Sequence, residues 1–178
     1  MNSQPPLIGF CAWSGTGKTT LIEQLIPLFT AQGVRVAVIK HTHHNFDIDQ
    51  RGKDSYRFRA AGATQVVLAS NQRIVSMLET PDQAEACLAG ALAHIEAHQF
   101  DLIIVEGFKY EAFPKIELHR PALQKPLMYS DDASIIALAT DTAFTPPETN
   151  TSLPHLNLNN PREIVDFITR YFSLPLND

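Results

Sequence analysis

The sequence predicts a three-layer α/β domain whose sheet is mostly parallel, with an antiparallel hairpin at one edge. Three features point that way. A glycine-rich loop, Ala12-Trp13-Ser14-Gly15-Thr16-Gly17-Lys18-Thr19, separates a short apolar run from a segment with helical spacing. A second short β-branched run, Val34 to Ile39, follows that segment closely and completes a strand–helix–strand unit, which should be parallel and right-handed. Two further runs, Phe100 to Gly107 and Ser134 to Ala139, have the length and composition of buried strands.

The loop comes first because strand, glycine loop and helix occur in the order a phosphate cradle requires. Leu7 to Ala12 supplies the strand, and Leu21, Leu25, Leu28 and Phe29 mark the inner face of the helix. Gly15 and Gly17 let the backbone turn its N–H groups toward an anion, and the helix start adds partial positive charge. Ser14, Gly15, Thr16, Gly17, Lys18, Thr19 and Thr20 are therefore expected to bind nucleotide. Lys18 reaches the β- and γ-phosphates and serves catalysis, Thr19 ligates Mg2+, and Thr20 is assigned to the α-phosphate. This is the P-loop NTPase type of α/β fold. Ala12 stands where the loop pattern has its first Gly, which is tolerable while φ stays negative. Lys18 is expected to be exposed until phosphate arrives.

With 178 residues, the chain is expected to form one nucleotide-binding domain spanning 1–178. A net charge of −5 and a pI near 5.8 argue against a nucleic-acid partner. Cys11 and Cys87 make neither a metal cage nor a disulfide framework and are expected to be small core residues. Met1 to Pro6 is short, polar and proline-bearing, unlike a secretion signal, and no apolar run reaches bilayer length. A cytoplasmic protein with no membrane contact is expected.

The first helix should run from about Lys18 to Gln32 and stop at Gly33, with Pro27 bending it or splitting it in two. After the second strand comes Lys40-His41-Thr42-His43-His44-Asn45-Phe46-Asp47-Ile48-Asp49, leaving the sheet at the ligand-binding edge. The three histidines have no Cys nearby to complete a tetrahedral metal set, which favours a polar loop or ligand contacts. Asp47 and Asp49 are either solvated loop acids or holders of an attacking water; Asp47 is taken as the catalytic candidate. A short helix follows, with Asp54 or Ser55 as its cap and Gly62 as its end. Lys53, Arg57 and Arg59 are the nearest cations for an anionic second ligand, although each could equally be a solvated surface charge. Arg57 and Arg59, two apart, cannot share a helical face.

Thr64 to Ala69 and Arg73 to Glu79 flank Ser70-Asn71-Gln72 with hairpin spacing. A hairpin at the sheet edge leaves a free edge that a second copy of the chain could cover. Thr80-Pro81 opens a helix expected to continue to about His98, packing Leu88, Leu92 and Ile95 inward. In Phe100 to Gly107, Asp101 and Glu106 stand about 16 Å apart along an extended chain. If that strand is parallel to the first, Glu106 emerges at the phosphate edge beside the metal and Asp101 at the far edge. Lys109 follows on the same loop. Lys115 to Arg120 alternates apolar and polar residues and is expected to be a half-exposed strand. Asp141, at the end of a late strand, is either a turn starter or a bidentate reader of guanine N1–H and N2–H2. A final strand near Leu156 and a helix from Asn160 to about Phe172 close the chain, with no repeat and no second domain.

Four blocks together carry a family resemblance: Ser14-Gly15-Thr16-Gly17-Lys18-Thr19-Thr20, Lys40-His41-Thr42-His43-His44, Gly52-Lys53-Asp54-Ser55 and Val105-Glu106-Gly107-Phe108-Lys109. The chain resembles the MobB family of molybdopterin guanine dinucleotide biosynthesis, from Leu7 to the last helix. The phosphate loop alone is shared by many families, whereas the second and fourth blocks in this order are far more specific. The resemblance implies GTP and Mg2+ as cofactors, a homodimer, and a supporting role beside the guanylyltransferase MobA, which joins GMP to molybdopterin. It carries Lys18 and Thr19 over as phosphate and Mg2+ contacts and Glu106 as the acid near the metal. Lys40, Lys53, Arg57 and Lys109 are the candidates for holding a second ligand. The expected function is a GTP-binding adapter with weak GTPase activity in molybdenum cofactor synthesis. A small-molecule kinase or a dethiobiotin-synthetase-like ATP-dependent ligase is the alternative, although no arginine-rich lid is visible. A metal-delivering GTPase would favour a long His tract or paired cysteines, which the sequence lacks.

Overall fold

A computed structural model describes residues 4–42, 46–80, 85–142 and 153–175. The chain forms two compact units, Met1–His41 with Cys87–Asp178, and Thr42–Ala86.

The larger unit holds β1 (Leu7–Cys11), α1 (Lys18–Ala31), β2 (Val36–Lys40), α3 (Leu88–Leu92), β5 (Leu102–Glu106), β6 (Lys115–His119), β7 (Ile135–Thr140), β8 (His155–Asn157) and α4 (Pro161–Phe172). Its six strands are ordered β2-β5-β1-β6-β7-β8, and every neighbouring pair is parallel. Parallel strands need crossovers on the faces, so the central strands are buried, and β1 and β5 are nearly continuous apolar runs. One face packs Ile8, Phe10, Leu102, Ile104, Ile116 and Leu118 against Leu21, Leu25 and Phe29 of α1 and Ile164 and Ile168 of α4. The opposite face packs Ala37, Ile39, Ile103 and Val105 against Leu88, Phe108 and Phe113. The smaller unit holds α2 (Asp54–Ala60) and an antiparallel hairpin of β3 (Gln65–Ala69) and β4 (Ile74–Leu78).

The α/β class, the parallel sheet and the hairpin are as the sequence predicts. Among the described residues, the hairpin forms a two-stranded sheet of its own. Four local expectations are corrected. Pro27 does not split α1: it lies on the exposed face of a helix that runs unbroken over Lys18–Ala31. Among the described residues, the segment expected to form one helix as far as His98 is α-helical over Leu88–Leu92, with a short 3-10 turn at Ala97–Gln99. Beyond Leu92, His94 and Ile95 donate to carbonyls three residues back, at Ala91 and Leu92, so the chain tightens into turns. Its start at Thr80-Pro81 lies partly outside the described residues, at Pro81. Cys87 is exposed and caps α3, accepting from the Gly90 N–H, whereas Cys11 is buried as expected. The fourth correction matters most. β6 is not half-exposed: it lies between β1 and β7 and is buried throughout, Lys115 and Glu117 included.

β6 tolerates these charges because each has partners. The Lys115 ammonium donates to the carbonyls of Lys109 (3.0 Å) and Glu111 (2.7 Å) and pairs with Asp132 (2.8 Å). The Glu117 carboxylate accepts the backbone N–H groups of Met128 and Tyr129, both at 2.9 Å. Buried charge persists only when satisfied in this way. The row pins the loops after β5 and β6 against the sheet.

Candidate functional site

β1 ends at Cys11, in the middle of the sheet, and delivers the glycine loop to the carboxyl edge. Gly17 caps α1 in the left-handed region (φ 101°) and offers no side-chain cap to the first-turn N–H groups. A glycine is the residue that adopts this φ without strain, and the uncapped N–H groups remain available to an anion. Inside the loop, the Thr16 hydroxyl donates to the Trp13 carbonyl (2.8 Å) and is buried, so it braces the turn. Ser14, Gly15, Thr19 and Thr20 are exposed.

Lys18 corrects an expectation. It is half-buried rather than exposed, and its ammonium donates to the Ala12 carbonyl at 2.9 Å. Burial lowers its pKa, with Glu106 pulling the opposite way. The lysine thus rests on the backbone of its own loop.

β5 runs parallel to β1 with Glu106 in register with Phe10, and parallel to β2 with Glu106 opposite Lys40. Glu106 therefore stands at the carboxyl edge, as its placement in the strand requires. The Thr19 hydroxyl donates to Glu106 Oε1 at 2.7 Å, and Lys40 Nζ lies 3.4 Å from Oε2. Asp101, at the other end of β5, is held by Arg35 through hydrogen bonds of 2.8 and 2.9 Å. Those bonds keep its carboxyl below the usual aspartate range.

The next residues fix this edge. Gly107 has φ 112°, and a Cβ there would stand 2.5 Å from the Cβ of His41. His41 donates its N–H to the Glu106 carbonyl (2.8 Å) and stacks on Phe108, with ring centroids 4.4 Å apart. His41 and the loop after β5 are thus packed together. Lys109 reaches over the Tyr110 ring. His43 and His44 lie outside the described residues. Among the described residues, no cluster of three His, Cys, Asp or Glu side chains is arranged to hold a metal.

In the smaller unit, Asp47 pairs with Arg59 at 2.9 Å, and Arg59 also reaches Glu79 at 2.8 Å. The backbone N–H of Asp49 and then Arg59 lower the Asp47 pKa. Arg57 is exposed and pairs with Asp54, while Lys53 is an exposed residue at the start of α2. Asp54 and Ser55 are inside α2 rather than capping it. Asp141 follows β7, and its Oδ2 accepts from Arg120 at 2.7 Å. Arg120 Nε donates to the Thr16 carbonyl of the phosphate loop at 2.9 Å. Sequence reasoning did not single out Arg120, because its importance follows from the central position of β6. Burial pushes the Cys11 thiol up to about 12, so it is an inert core group. A cavity of about 310 Å3 lined by Leu28, Gln32, Arg162 and Asp166 lies at the far end of α1 from the loop.

Residues 7–141 match the family described as molybdopterin guanine dinucleotide synthesis protein B. The chain belongs to the MobB family. It is 44% identical to the molybdopterin-guanine dinucleotide biosynthesis adapter protein of Escherichia coli K12, over 93% of both chains. It is also 44% identical to the protein of that name from Haemophilus influenzae, over 96% of this chain and 92% of that one. The fold is shared with the crystal structure of Bacillus subtilis MobB, at a TM-score of 0.72 and 22% identity, covering 94% of this chain and 98% of that one. It is shared too with a MobB homologue from Bacillus stearothermophilus, at a TM-score of 0.66 and 23% identity, covering 97% and 99%.

Proposed function

We propose that this chain is a GTP-binding adapter in molybdopterin guanine dinucleotide synthesis that hydrolyses GTP only slowly by itself. The observation that carries the nucleotide reading is the uncapped, glycine-entered start of α1 with Lys18 and the Thr19–Glu106 pair beside it. The loop's N–H groups and Lys18 hold the phosphates. Lys18 leaves the Ala12 carbonyl when a phosphate oxygen replaces it, exchanging a neutral acceptor for a charged one. Mg2+ fits the donor set: a hydroxyl and a carboxylate oxygen are hard ligands, and this ion ordinarily completes its shell with water and phosphate. Bound there, it would neutralise charge on the β- and γ-phosphates.

The engagement of the candidate groups supports slow turnover. Phosphoryl transfer needs an oriented water and charge placed on the transferring group. Asp47, the expected water holder, has its carboxylate engaged by Arg59. Lys40 is engaged by Glu106, and Arg57 is spread toward solvent. Lys40 and Lys109 are proposed to meet an anionic second ligand, molybdopterin, and Lys53 and Arg57 are retained as lesser candidates. The adapter role rests on the names of the 44% identical relatives. Its partner is proposed to be the guanylyltransferase MobA, in the cytoplasm.

A homodimer is proposed as well. The smaller unit exposes Phe46, Ile48, Phe58, Val67 and Ile74. A two-stranded hairpin with one short helix is marginal alone, and a second copy covering it would complete its core. The functional test is phosphate release by purified protein with saturating GTP and Mg2+. Turnover well below ~1 s−1, the low end of ordinary enzyme rates, is expected. Tens of turnovers per second, unaided, would replace the adapter by a self-sufficient enzyme.

A further inference from the structure

Arg120 and Asp141 stand beside the phosphate loop without a part in the chemistry proposed above. β6 and β7 pair with His119 opposite Thr140, so the next residues, Arg120 and Asp141, leave the sheet side by side. The guanidinium spans two acceptors: Nε to the Thr16 carbonyl at 2.9 Å and Nη1 to Asp141 Oδ2 at 2.7 Å. Nη2 lies 3.7 Å from where a Cβ on Gly17 would stand. Asp141 Oδ1 is buried and has no hydrogen-bond partner among the described residues, so the pairing with Arg120 is what holds this carboxylate.

We propose that Arg120 is a positioning residue for the phosphate loop and that Asp141 orients Arg120. This rests on the nucleotide reading of the loop. In a trans peptide the C=O and the following N–H point in opposite directions. Holding the Thr16 carbonyl against the guanidinium turns the Gly17 N–H the other way, toward the anion the loop receives. Gly17 adopts φ 101°, where a glycine has two accessible basins, so an external brace selects one. Asp141 fixes the plane of the fork and neutralises it. Arg120 then acts on the loop by geometry rather than as a competing cation. A lysine, with a point charge on a flexible stem, cannot hold both acceptors at once in this way. Asp141 is accordingly assigned to the arginine rather than to the guanine edge.

The test uses the full chain and two probes, GTP and inorganic tripolyphosphate, with ATP titrated alongside as the comparison for base preference, each with Mg2+ and by calorimetry. Arg120→Met, Arg120→Lys, Asp141→Asn and the double variant Arg120→Met/Asp141→Asn are compared, with circular dichroism and Tm of the unliganded protein as the folding check. Arg120→Met is expected to weaken both probes roughly tenfold, the size of one lost charge-assisted hydrogen bond. Asp141→Asn should weaken both in the same sense and leave the preference for GTP over ATP unchanged. The double variant should be no worse than Arg120→Met, because Asp141 acts only through Arg120. A merely structural pair would lower the unliganded Tm and leave the affinity of folded protein intact, which overturns the proposal. Loss of the GTP preference in Asp141→Asn with tripolyphosphate affinity unchanged also overturns it and makes Asp141 the base reader. Should Arg120→Met fail to fold, Arg120→Lys carries the same comparison. Wild-type protein that binds neither probe would overturn the nucleotide reading itself, an outcome distinct from binding that the variants leave untouched.

Discussion

Lys18 shows how a single side chain prepares this site. Its ammonium rests on the Ala12 carbonyl, half-buried, one swing from where phosphate would bind. Lys18→Ala is expected to weaken GTP at least a hundredfold while the circular dichroism spectrum stays native. A charged hydrogen bond to phosphate is worth about 3 kcal/mol when desolvated. Undiminished affinity would remove the loop from the mechanism. The two acids of β5 make a second comparison. Glu106→Gln should depress Mg2+-dependent turnover strongly, because it alters a carboxylate 2.7 Å from the Thr19 hydroxyl. Asp101→Asn should leave turnover alone and cost no more than about 1 kcal/mol of stability, since its partner Arg35 is largely exposed. The reverse ranking, with both proteins folded, would contradict the assignment. The places of the glycine loop and of Glu106 at the carboxyl edge were legible in the sequence because they follow from a local motif and from strand polarity. Arg120 was not, because nothing in Lys115 to Arg120 tells which strands will flank it.

Among the elements, β6 departs furthest from its sequence pattern. Alternating Lys, Glu and His with Ile and Leu is what a half-solvated strand looks like, yet this strand sits inside a parallel sheet. Periodicity reports which residues share a face, and it cannot report what covers that face. Here loops cover it. Lys115→Met should lower unfolding stability by about 3 kcal/mol, read by urea denaturation, because it leaves two carbonyls and the Asp132 carboxylate without their donor. Glu117 gives a pH signature. Burial raises its carboxyl above the ordinary 4.5, with the Met128 and Tyr129 N–H groups pulling it down only partly. The folded chain then holds this proton more tightly than the unfolded chain. The stability of the wild type relative to Glu117→Gln should therefore be greatest below pH 4.5 and decline as pH rises through the folded pKa. A relative stability that climbs across that window would show that the N–H groups outweigh burial. The shortened α3 has a related origin: its sequence repeats Ala and Gly around few apolar anchors, and helical spacing alone did not sustain it.

At the scale of the whole molecule, the parallel sheet and its order around β1 explain why the loops bearing Lys18, Glu106 and Arg120 meet at one edge. The hairpin was legible from turn spacing, but its separate sheet was not, since turn chemistry fixes pairing within a hairpin and says nothing of its other neighbours. Its uncovered apolar side chains give the assembly prediction. The purified chain should sediment as a dimer, and Ile74→Asp, at a position 72% exposed, should shift it toward monomer without unfolding the larger unit. A wild-type monomer at micromolar concentration would contradict this.

The loop before α1 is proposed to bind GTP in an adapter. The most direct test is a calorimetric titration of GTP, and separately of ATP, into the purified wild-type chain with Mg2+. Saturable binding of GTP near one per chain is expected, with weaker ATP binding and loss of the GTP signal when Mg2+ is chelated. Absence of GTP binding, or a clear preference for ATP, would contradict it.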